Sequence, residues 1–195
     1  VISNEDLRNF FTEIGYMRNA MLGPSYLKKV EIKNVEKIYE TYENFKKENG
    51  YIDFDDMQTI AYDLINKDDR LLASIKNKYK YFQLDEGQDT SLLQFRILEK
   101  IASPQNNIMV VADDDQSIYS FRAANPDYLL NFSKVYPDGK IITMDENHRS
   151  QKNIVDLSNK FISQNANRYK KNLYTNISPS FKVSFKSLKT SRDLY

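Results

Sequence analysis

The hydrophobic pattern changes character near residue 79 of the 195-residue chain. Before that point, apolar residues recur at the three- and four-residue spacing of helices. The pattern predicts three helices, which begin near residues 3, 25 and 54. The first is broken at Gly23-Pro24, and the second ends near Asn49-Gly50. These first 70 residues are therefore predicted to form a separate helical subdomain.

After residue 79, short apolar runs alternate with helical segments. The predicted strands cover residues 79–84, 107–112, 140–144 and 181–188. The predicted helices cover residues 91–101 and 150–164, with another that starts at Asn125-Pro126. This alternation predicts an α/β fold with a parallel sheet. Ligand sites in such sheets lie beyond the carboxyl ends of the strands.

Composition excludes several classes of site and partner. The chain has 28 basic and 27 acidic residues and a formal net charge of +1, so any nucleic-acid site must be local. It has no cysteine and a single histidine, which excludes disulfides and multi-histidine metal centres. No apolar run approaches the ~18 residues of a membrane span, and no signal peptide is visible. We therefore expect a soluble cytoplasmic protein with no membrane partner. The Val start suggests a piece of a longer chain.

Paired carboxylates follow the first predicted strand, in the segment Asp85-Glu86-Gly87-Gln88-Asp89-Thr90. Adjacent acids at a strand end can divide the labour of phosphate chemistry. One carboxylate can hold Mg²⁺, and the other can orient or deprotonate the attacking water. The alternative is a solvated strand end that simply starts a turn.

A second acidic cluster follows the second predicted strand and is succeeded by aromatic and basic residues. The acids are Asp113, Asp114 and Asp115. Aromatic rings beside a guanidinium, here Tyr119, Phe121 and Arg122, are typical of sites that hold single-stranded nucleic acid without sequence preference. The alternative is an acidic loop whose aromatic residues pack into the core.

An arginine, Arg149, follows the third predicted strand and lies just before a helix. An arginine in such a position can stabilise the charge that develops on a transferring phosphoryl group. The alternative is a surface arginine that pairs locally.

Taken together, these segments resemble the ordered motifs of the UvrD/Rep helicases of superfamily 1. Residues 85–90 are similar to the family's Walker B motif, Asp-Glu-aromatic-Gln-Asp-Thr. Residues 110–124 are similar to its third motif, and Asn147-His148-Arg149-Ser150 is similar to its fourth motif, Asn-Tyr-Arg-Ser. Four positions depart from the usual family residue: Gly87, Ala112, Ala123 and His148.

The resemblance implies ATP and Mg²⁺ as cofactors and assigns roles to individual residues. Asp85 would bind Mg²⁺, and Glu86 would activate water and contact the metal through it. Gln116 would sense the γ-phosphate, and Arg149 would be the γ-phosphate arginine. His148 would take the place of the tyrosine that stacks on adenine.

The resemblance also implies a DNA partner. Tyr119 and Phe121 would contact bases of single-stranded DNA, and Arg122 would support that DNA or the domain contact. The third motif would thereby link hydrolysis to the grip on DNA.

The fold that the resemblance implies is a partial RecA-like (P-loop NTPase) parallel sheet with an inserted helical subdomain. Residues 1–52 would be the inserted subdomain, 53–139 the later part of the first RecA-like domain, and 140–195 the start of the second. The segment Asp53-Phe54-Asp55-Asp56 resembles the point of return to the motor domain, and a structural role is favoured there over a DNA contact. The sequence contains no Gly-x-x-x-x-Gly-Lys-Ser/Thr loop to cradle phosphates. The fragment alone is therefore predicted to hydrolyse ATP poorly or not at all.

Three functions remain open at this point. The first is part of an ATP-dependent DNA helicase or translocase that moves on single-stranded DNA and unwinds duplexes, with repair or recombination proteins as partners. The second is a non-hydrolysing DNA-binding or interaction module derived from a helicase. The third is a metal-dependent nuclease, which would leave Gln116, Tyr119 and Arg149 without a role.

Overall fold

The structure, a computed structural model, describes residues 3–120, 123–124, 127–166, 168–184 and 187. The chain divides into two units, Val1–Asn131 and Phe132–Tyr195. The helices of the first unit are α1 (Asn4–Asn19), α2 (Val35–Asn49), α3 (Phe54–Lys67), α4 (Asp69–Lys78), α5 (Leu92–Ala102) and α6 (Asp127–Leu130). Those of the second are α7 (Phe132–Val135) and α8 (Lys152–Ile162). The strands are β1 (Phe82–Leu84) and β2 (Ile108–Val110), and short 3-10 helices cover Pro24–Lys29, Gly87–Asp89 and Asp114–Gln116.

Three of the helices start with a capping box that the sequence encodes locally. Ser3, Asp53 and Ser91 each accept a hydrogen bond from the backbone N–H three residues later. The side chain at that later position accepts in return from the backbone N–H of the capping residue. These reciprocal bonds satisfy N–H groups that the first turn would otherwise leave unpaired, which fixes where α1, α3 and α5 begin.

The helical part of the first unit has its own apolar core. The buried residues are Phe10, Ile14, Met17, Leu27 and Val35. The first three lie at helical spacing on one face of α1, and the other two come from the 3-10 helix Pro24–Lys29 and the start of α2. The region is helical, as its sequence pattern predicts, and burial of this stripe holds the elements together.

A buried ion network joins α1 and α2 to the start of α3. Its cations are Arg18 and Lys46, whose side chains are 8% and 7% exposed. The Lys46 ammonium lies 3.0 Å from Glu43, 2.9 Å from Asp53 and 2.7 Å from Asp56. Arg18 pairs with the same three carboxylates. The preferred structural role of residues 53–56 thus has a physical basis, because Asp53 and Asp56 help to neutralise two largely buried cations.

The network also shifts the pKa of its members. Burial by itself raises the pKa of Asp53, but hydrogen bonds from the Asp56 backbone, Lys46, Arg18 and Tyr42 outweigh it and hold that pKa well below its usual range. Burial and the hydrogen bond to Asp53 raise the pKa of Tyr42 to about 12. The charged form of Asp53 and the neutral form of Tyr42 are therefore the forms that stabilise the fold.

Acid should destabilise this chain through Asp53. Because the pKa of Asp53 is lower in the folded chain than in the unfolded one, its contribution is complete above the unfolded value of about 4. The contribution is lost as the pH falls from there through the folded pKa. Urea unfolding followed by circular dichroism should show the free energy of unfolding falling below roughly pH 4. A free energy that stayed constant from pH 6 to pH 3 would contradict the assignment.

The sheet positions the ends of the two strands side by side. Strands β1 and β2 pair in parallel, with Phe82 opposite Ile108 and Leu84 opposite Val110. Parallel strands need a crossover connection, and α5 supplies it. The predicted α/β fold with a parallel sheet is confirmed. Both carboxyl ends lie at the same edge, so the two acidic segments that follow them come together there.

Two of the predicted strands are wrong within the described residues. Residues 140–144 form no strand, and their apolar side chains are open to solvent: Ile142 is 84% and Met144 is 85% exposed. Residues 181–184 of the predicted strand 181–188 are also irregular, and residues 185, 186 and 188 lie outside the described residues. Both predictions rested on the local preference of these residues for strands. A strand forms only where a neighbouring backbone pairs with it.

The structure also differs from the prediction in one divided helix and one additional helix. The helix predicted over residues 25–48 is divided into a 3-10 helix and α2, because Asn34 adopts a left-handed backbone with φ of 59° that interrupts the helix. Helix α4 was not predicted. Its start is capped by Asp68, which accepts from the N–H groups of Arg70 and Leu71. That acidic cap, followed by apolar residues at helical spacing, is the signal that would have found it.

No helix in the described ranges is long and apolar enough to cross a lipid bilayer.

Candidate nucleotide and DNA site

The first acidic pair lies in a tight turn directly after β1. The parallel ladder continues past the strands, since the Val111 N–H donates to the Leu84 carbonyl at 2.8 Å and the Gly87 N–H donates to the Val111 carbonyl at 3.0 Å. Asp85 and Glu86 therefore lie at the strand end, with both side chains exposed. Asp85 Oδ1 accepts from the Glu86 N–H at 2.9 Å. The predicted metal ligand and the predicted base are thus adjacent and accessible to a ligand.

Glu86 occupies a strained backbone conformation. Its φ of 52° and ψ of 41° place it in the left-handed region, which costs a residue with a side chain on the order of 1 kcal/mol or more. Such strain persists only where neighbouring bonds hold the backbone, and here the Gly87 and Asp89 N–H groups supply those bonds. Glu86 is one of several non-glycine residues with a positive φ, and it is the residue that the motif assigns to water activation.

A chain of hydrogen bonds joins the two strand ends. Gln88 Nε2 donates to Glu86 Oε2 at 2.6 Å, and Gln88 Oε1 accepts from the Asp113 N–H at 3.0 Å. Asp113 Oδ2 in turn accepts from Gln116 Nε2 at 2.7 Å. The structure therefore brings Glu86 and Gln116 into one hydrogen-bonded network.

Gln88 is a functional candidate that the sequence analysis did not single out. Its side chain is buried, with 1% of the residue exposed, while Glu86 and Gln116 at the two ends are exposed. A buried amide needs partners for both its donor and its acceptor, and these bonds provide them. The sequence feature that could have identified Gln88 is its position two residues after the acidic pair.

A cleft of about 450 Å³ opens beside β1 and the acidic turn. Its lining includes Asp85, Glu86 and Asp89. Asp89 Oδ1 is buried and accepts no hydrogen bond from the described residues. Carboxylate oxygens are the ligands that Mg²⁺ prefers. An open cleft, two exposed carboxylates and one buried oxygen without a protein donor fit a hydrated Mg²⁺ held principally by Asp85.

Gly87 departs from the aromatic residue usual at its position, and the structure gives a packing reason. A Cβ atom at Gly87 would lie 2.6 Å from Val110 Cγ1, 3.3 Å from Ala112 Cβ and 3.4 Å from Leu129 Cδ2. Gly87 is itself buried. The side chains of β2 and α6 therefore occupy the space that a larger residue would need.

The substitution Gly87→Ala should destabilise the chain by about 1–3 kcal/mol, because the added methyl overpacks a rigid contact with a β-branched side chain. Urea unfolding followed by circular dichroism measures the change. Gly23→Ala is the matched control, since a Cβ at Gly23 meets nothing nearer than Ser25 Oγ at 4.0 Å. Equal stabilities for the two variants would show that the contact with Val110 relaxes.

The loop after β2 carries the predicted DNA contacts. Tyr119 is 36% exposed, and its carbonyl accepts from the Ala124 N–H at 3.4 Å. Ala124 forms an isolated antiparallel β-bridge with Ser91, the residue that caps α5. This bridge anchors the loop to the start of that helix. Ala123 has a left-handed φ of 61°, the conformation that the family's usual glycine adopts without penalty. Phe121 and Arg122, the other two predicted DNA contacts, lie outside the described residues.

The acidic cluster in this loop has a local structural role. Asp113, Asp114 and Asp115 can each place one carboxylate oxygen within 4.8 Å of the others. Asp113, however, caps the 3-10 helix Asp114–Gln116 by accepting from the Asp115 N–H at 3.2 Å. Its other oxygen accepts from Gln116. These hydrogen bonds give the Asp113 carboxylate a structural role that requires no metal ion.

The predicted γ-phosphate arginine lies in the second unit. Asn147 Oδ1 accepts from the N–H groups of Arg149 and Ser150 at 2.9 and 2.7 Å, which closes a turn just before α8. Among the described residues, the exposed Arg149 guanidinium has no ion pair or hydrogen bond. His148 is also exposed, with Nδ1 at 3.8 Å from Glu146 Oε1. Both side chains are accessible to a ligand.

Comparison with known proteins identifies the family. The profile of the UvrD/REP helicase N-terminal domain matches residues 4–137. A relative from Bacillus subtilis described as "Putative ATP-dependent DNA helicase YjcD" is 39% identical over 163 residues, which is 83% of this chain and 22% of the relative. The "Probable DNA helicase II homolog" of Mycoplasma capricolum is 40% identical over 84% of this chain and 23% of its own length.

A third relative, "ATP-dependent DNA helicase PcrA" of Leuconostoc citreum, is 33% identical over 96% of this chain and 26% of its own length. This chain thus spans about a quarter of the length of these relatives. The profile match covers the cleft, the acidic turn and the loop after β2, where the structure forms its hydrogen-bonded network. The chain belongs to the UvrD/Rep helicase family.

Proposed function

We propose that this chain is the catalytic middle of an ATP-dependent DNA helicase or translocase. In the whole protein it couples Mg-ATP hydrolysis to movement on single-stranded DNA and to duplex unwinding. The observation that carries this proposal is the hydrogen-bonded chain from Glu86 through Gln88 and Asp113 to Gln116. Such a chain links the group that activates water to the group that senses the γ-phosphate.

The acidic turn would perform the chemistry of hydrolysis. Asp85 would hold the metal ion, and Glu86 would accept a proton from the attacking water or orient it. When bound, Mg²⁺ supplies positive charge against the phosphate oxygens of ATP. The exposure of both carboxylates at the mouth of the cleft supports these roles.

The loop after β2 would connect ATP to DNA. Gln116 contacts the γ-phosphate, while Tyr119 stacks on a base of single-stranded DNA, together with Phe121 and Arg122. Gln116 and Tyr119 are three residues apart in one anchored loop, and both are exposed. If hydrolysis displaces this loop, the contact between Tyr119 and the bound DNA strand would therefore change.

The fourth-motif residues, which lie in the second unit, would also serve the nucleotide. Arg149 stabilises charge on the γ-phosphate, and His148 stacks on the adenine ring. The exposure of both side chains, and the guanidinium that has no partner among the described residues, support a ligand-binding role. We propose that residues 1–52, 53–139 and 140–195 correspond to an inserted helical subdomain, the later part of one RecA-like domain and the start of the next.

The isolated chain should not hydrolyse ATP, since its sequence has no glycine-rich phosphate loop. We propose that other parts of the whole protein bind the phosphates of ATP. Because such a motor works on the chromosome, the cytoplasm is the proposed location, and repair or recombination proteins are the proposed partners.

Strand displacement tests the helicase proposal. The longest natural chain that contains these residues is mixed with Mg-ATP and a labelled duplex that carries single-stranded tails of both polarities. The proposal predicts release of the labelled strand with ATP and none with a non-hydrolysable analogue. DNA binding without displacement or ATP turnover would overturn it and favour a non-hydrolysing DNA-binding module. Cleavage of the DNA without ATP would favour a metal nuclease.

A further inference from the structure

The amide of Gln88 is placed between two groups with opposite requirements. The Glu86 carboxylate can only accept a hydrogen bond, and the Asp113 N–H can only donate one. Gln88 satisfies both at once, at 2.6 Å and 3.0 Å. The reversed amide orientation would place an oxygen against a carboxylate and an NH₂ group against an N–H. The surroundings therefore fix a single orientation of this side chain.

Burial makes this bridge rigid. Gln88 is 1% exposed, so water cannot replace either partner. The bond to Glu86 has a charged acceptor and is of the stronger class. Glu86 is also held by its backbone, whose left-handed conformation is fixed by the turn that follows. The carboxylate of Glu86 thus has its orientation set by one neutral, buried side chain.

The other end of the bridge is Asp113, in the loop that carries Gln116 and Tyr119. Asp113 contacts Gln88 through its backbone and Gln116 through its side chain. A shift of the Asp113 backbone must therefore move the Gln88 amide or break its bond. Movement of the amide would change its bond to Glu86 Oε2, and with it the orientation of the Glu86 carboxylate.

We propose that Gln88 is a positioning residue that aligns Glu86 for hydrolysis and transmits the state of the loop after β2 to it. This inference rests on the proposed function, in which Glu86 activates water and the loop binds DNA. Gln88 itself touches neither substrate. Its role is to make the rate of hydrolysis depend on whether the DNA-facing loop is in place.

The test uses Gln88→Met and Gln88→Glu in the longest natural chain that contains these residues. Gln88→Met keeps the side-chain volume and removes both hydrogen bonds. Gln88→Glu keeps the acceptor for the Asp113 N–H but places a second carboxylate against Glu86. Gln105→Met is the matched control, because Gln105 is exposed. The measurements are kcat and KM for ATP with and without single-stranded DNA, together with direct binding of an ATP analogue.

Both Gln88 variants should lower the DNA-stimulated kcat by roughly 10- to 100-fold, as expected when a reacting group is misaligned. KM for ATP should change by less than about threefold, since the bound nucleotide does not contact Gln88. The ratio of stimulated to basal kcat should fall in Gln88→Met, and Gln105→Met should match the wild type. If Gln88→Glu does not fold, because it buries a second carboxylate beside Glu86, Gln88→Met carries the test.

Two outcomes would overturn the inference. One is a kcat and a DNA stimulation within about twofold of the wild type in both variants. The other is a parallel loss of ATP binding and kcat, which is what simple damage to the turn would produce. A wild-type protein that neither hydrolyses ATP nor responds to DNA would instead contradict the proposed function itself, so the two failures are distinguishable.

Discussion

Replacing Glu86 with glutamine should lower the kcat for ATP hydrolysis by about 10²- to 10⁴-fold in the longest natural chain that contains these residues, since a positioned general base contributes about that much. Glutamine has nearly the same shape but cannot accept the proton from water. The neighbouring Gln88 amide can still donate to the glutamine oxygen. The turn should therefore keep its conformation, and binding of an ATP analogue should change little.

Steady-state turnover with saturating single-stranded DNA measures this effect. Glu48→Gln is the matched control, because Glu48 is exposed at the end of α2, away from the acidic turn. A Glu86→Gln variant with more than about a tenth of the wild-type kcat would assign water activation to another group.

The second large effect concerns stability. Lys46→Met should reduce the free energy of unfolding by about 3–5 kcal/mol, the cost of removing one partner from a buried ion pair. The Lys46 side chain is 7% exposed and contacts three carboxylates. Its removal leaves those carboxylates with Arg18 as the remaining cation of the network described here. Methionine keeps the volume and the apolar stem, so the loss reports on charge.

The control for this prediction is the next residue of the same helix. Lys47→Met makes the same chemical change at an exposed site, and it should alter stability by less than about 0.5 kcal/mol. Urea unfolding of the wild type and both variants at neutral pH compares them directly. If the two variants were equally stable, the network would have no net role in holding α2 to α3.

The parts of the fold that could be predicted from sequence are those that short-range chemistry specifies. The capping boxes at Ser3, Asp53 and Ser91 mark helix starts within a few residues. The two apolar runs that end in acids mark β1 and β2, but the strands are only partly buried, since Gln83 and Met109 are exposed. The resemblance in motifs identified the family, which the profile match confirmed.

Other features depend on contacts between distant residues and could not be predicted in this way. The run at residues 140–144 has strand-like residues, but no described neighbour pairs with it. The role of Lys46 depends on Asp53 and Asp56, which only the folded chain brings to it. Gln88 likewise gains its importance from Asp113, 25 residues later in the sequence. An isolated glutamine in a motif gives no sign of such a partner.

The most direct test of the central claim is ATP turnover by the longest natural chain containing these residues, with and without single-stranded DNA, for the wild type and Glu86→Gln. The hydrogen-bonded link between Glu86 and the loop of Gln116 and Tyr119 predicts turnover that DNA stimulates and that Glu86→Gln abolishes. Turnover that is absent, or that does not respond to DNA, would contradict the assignment of this chain to the catalytic middle of a DNA motor.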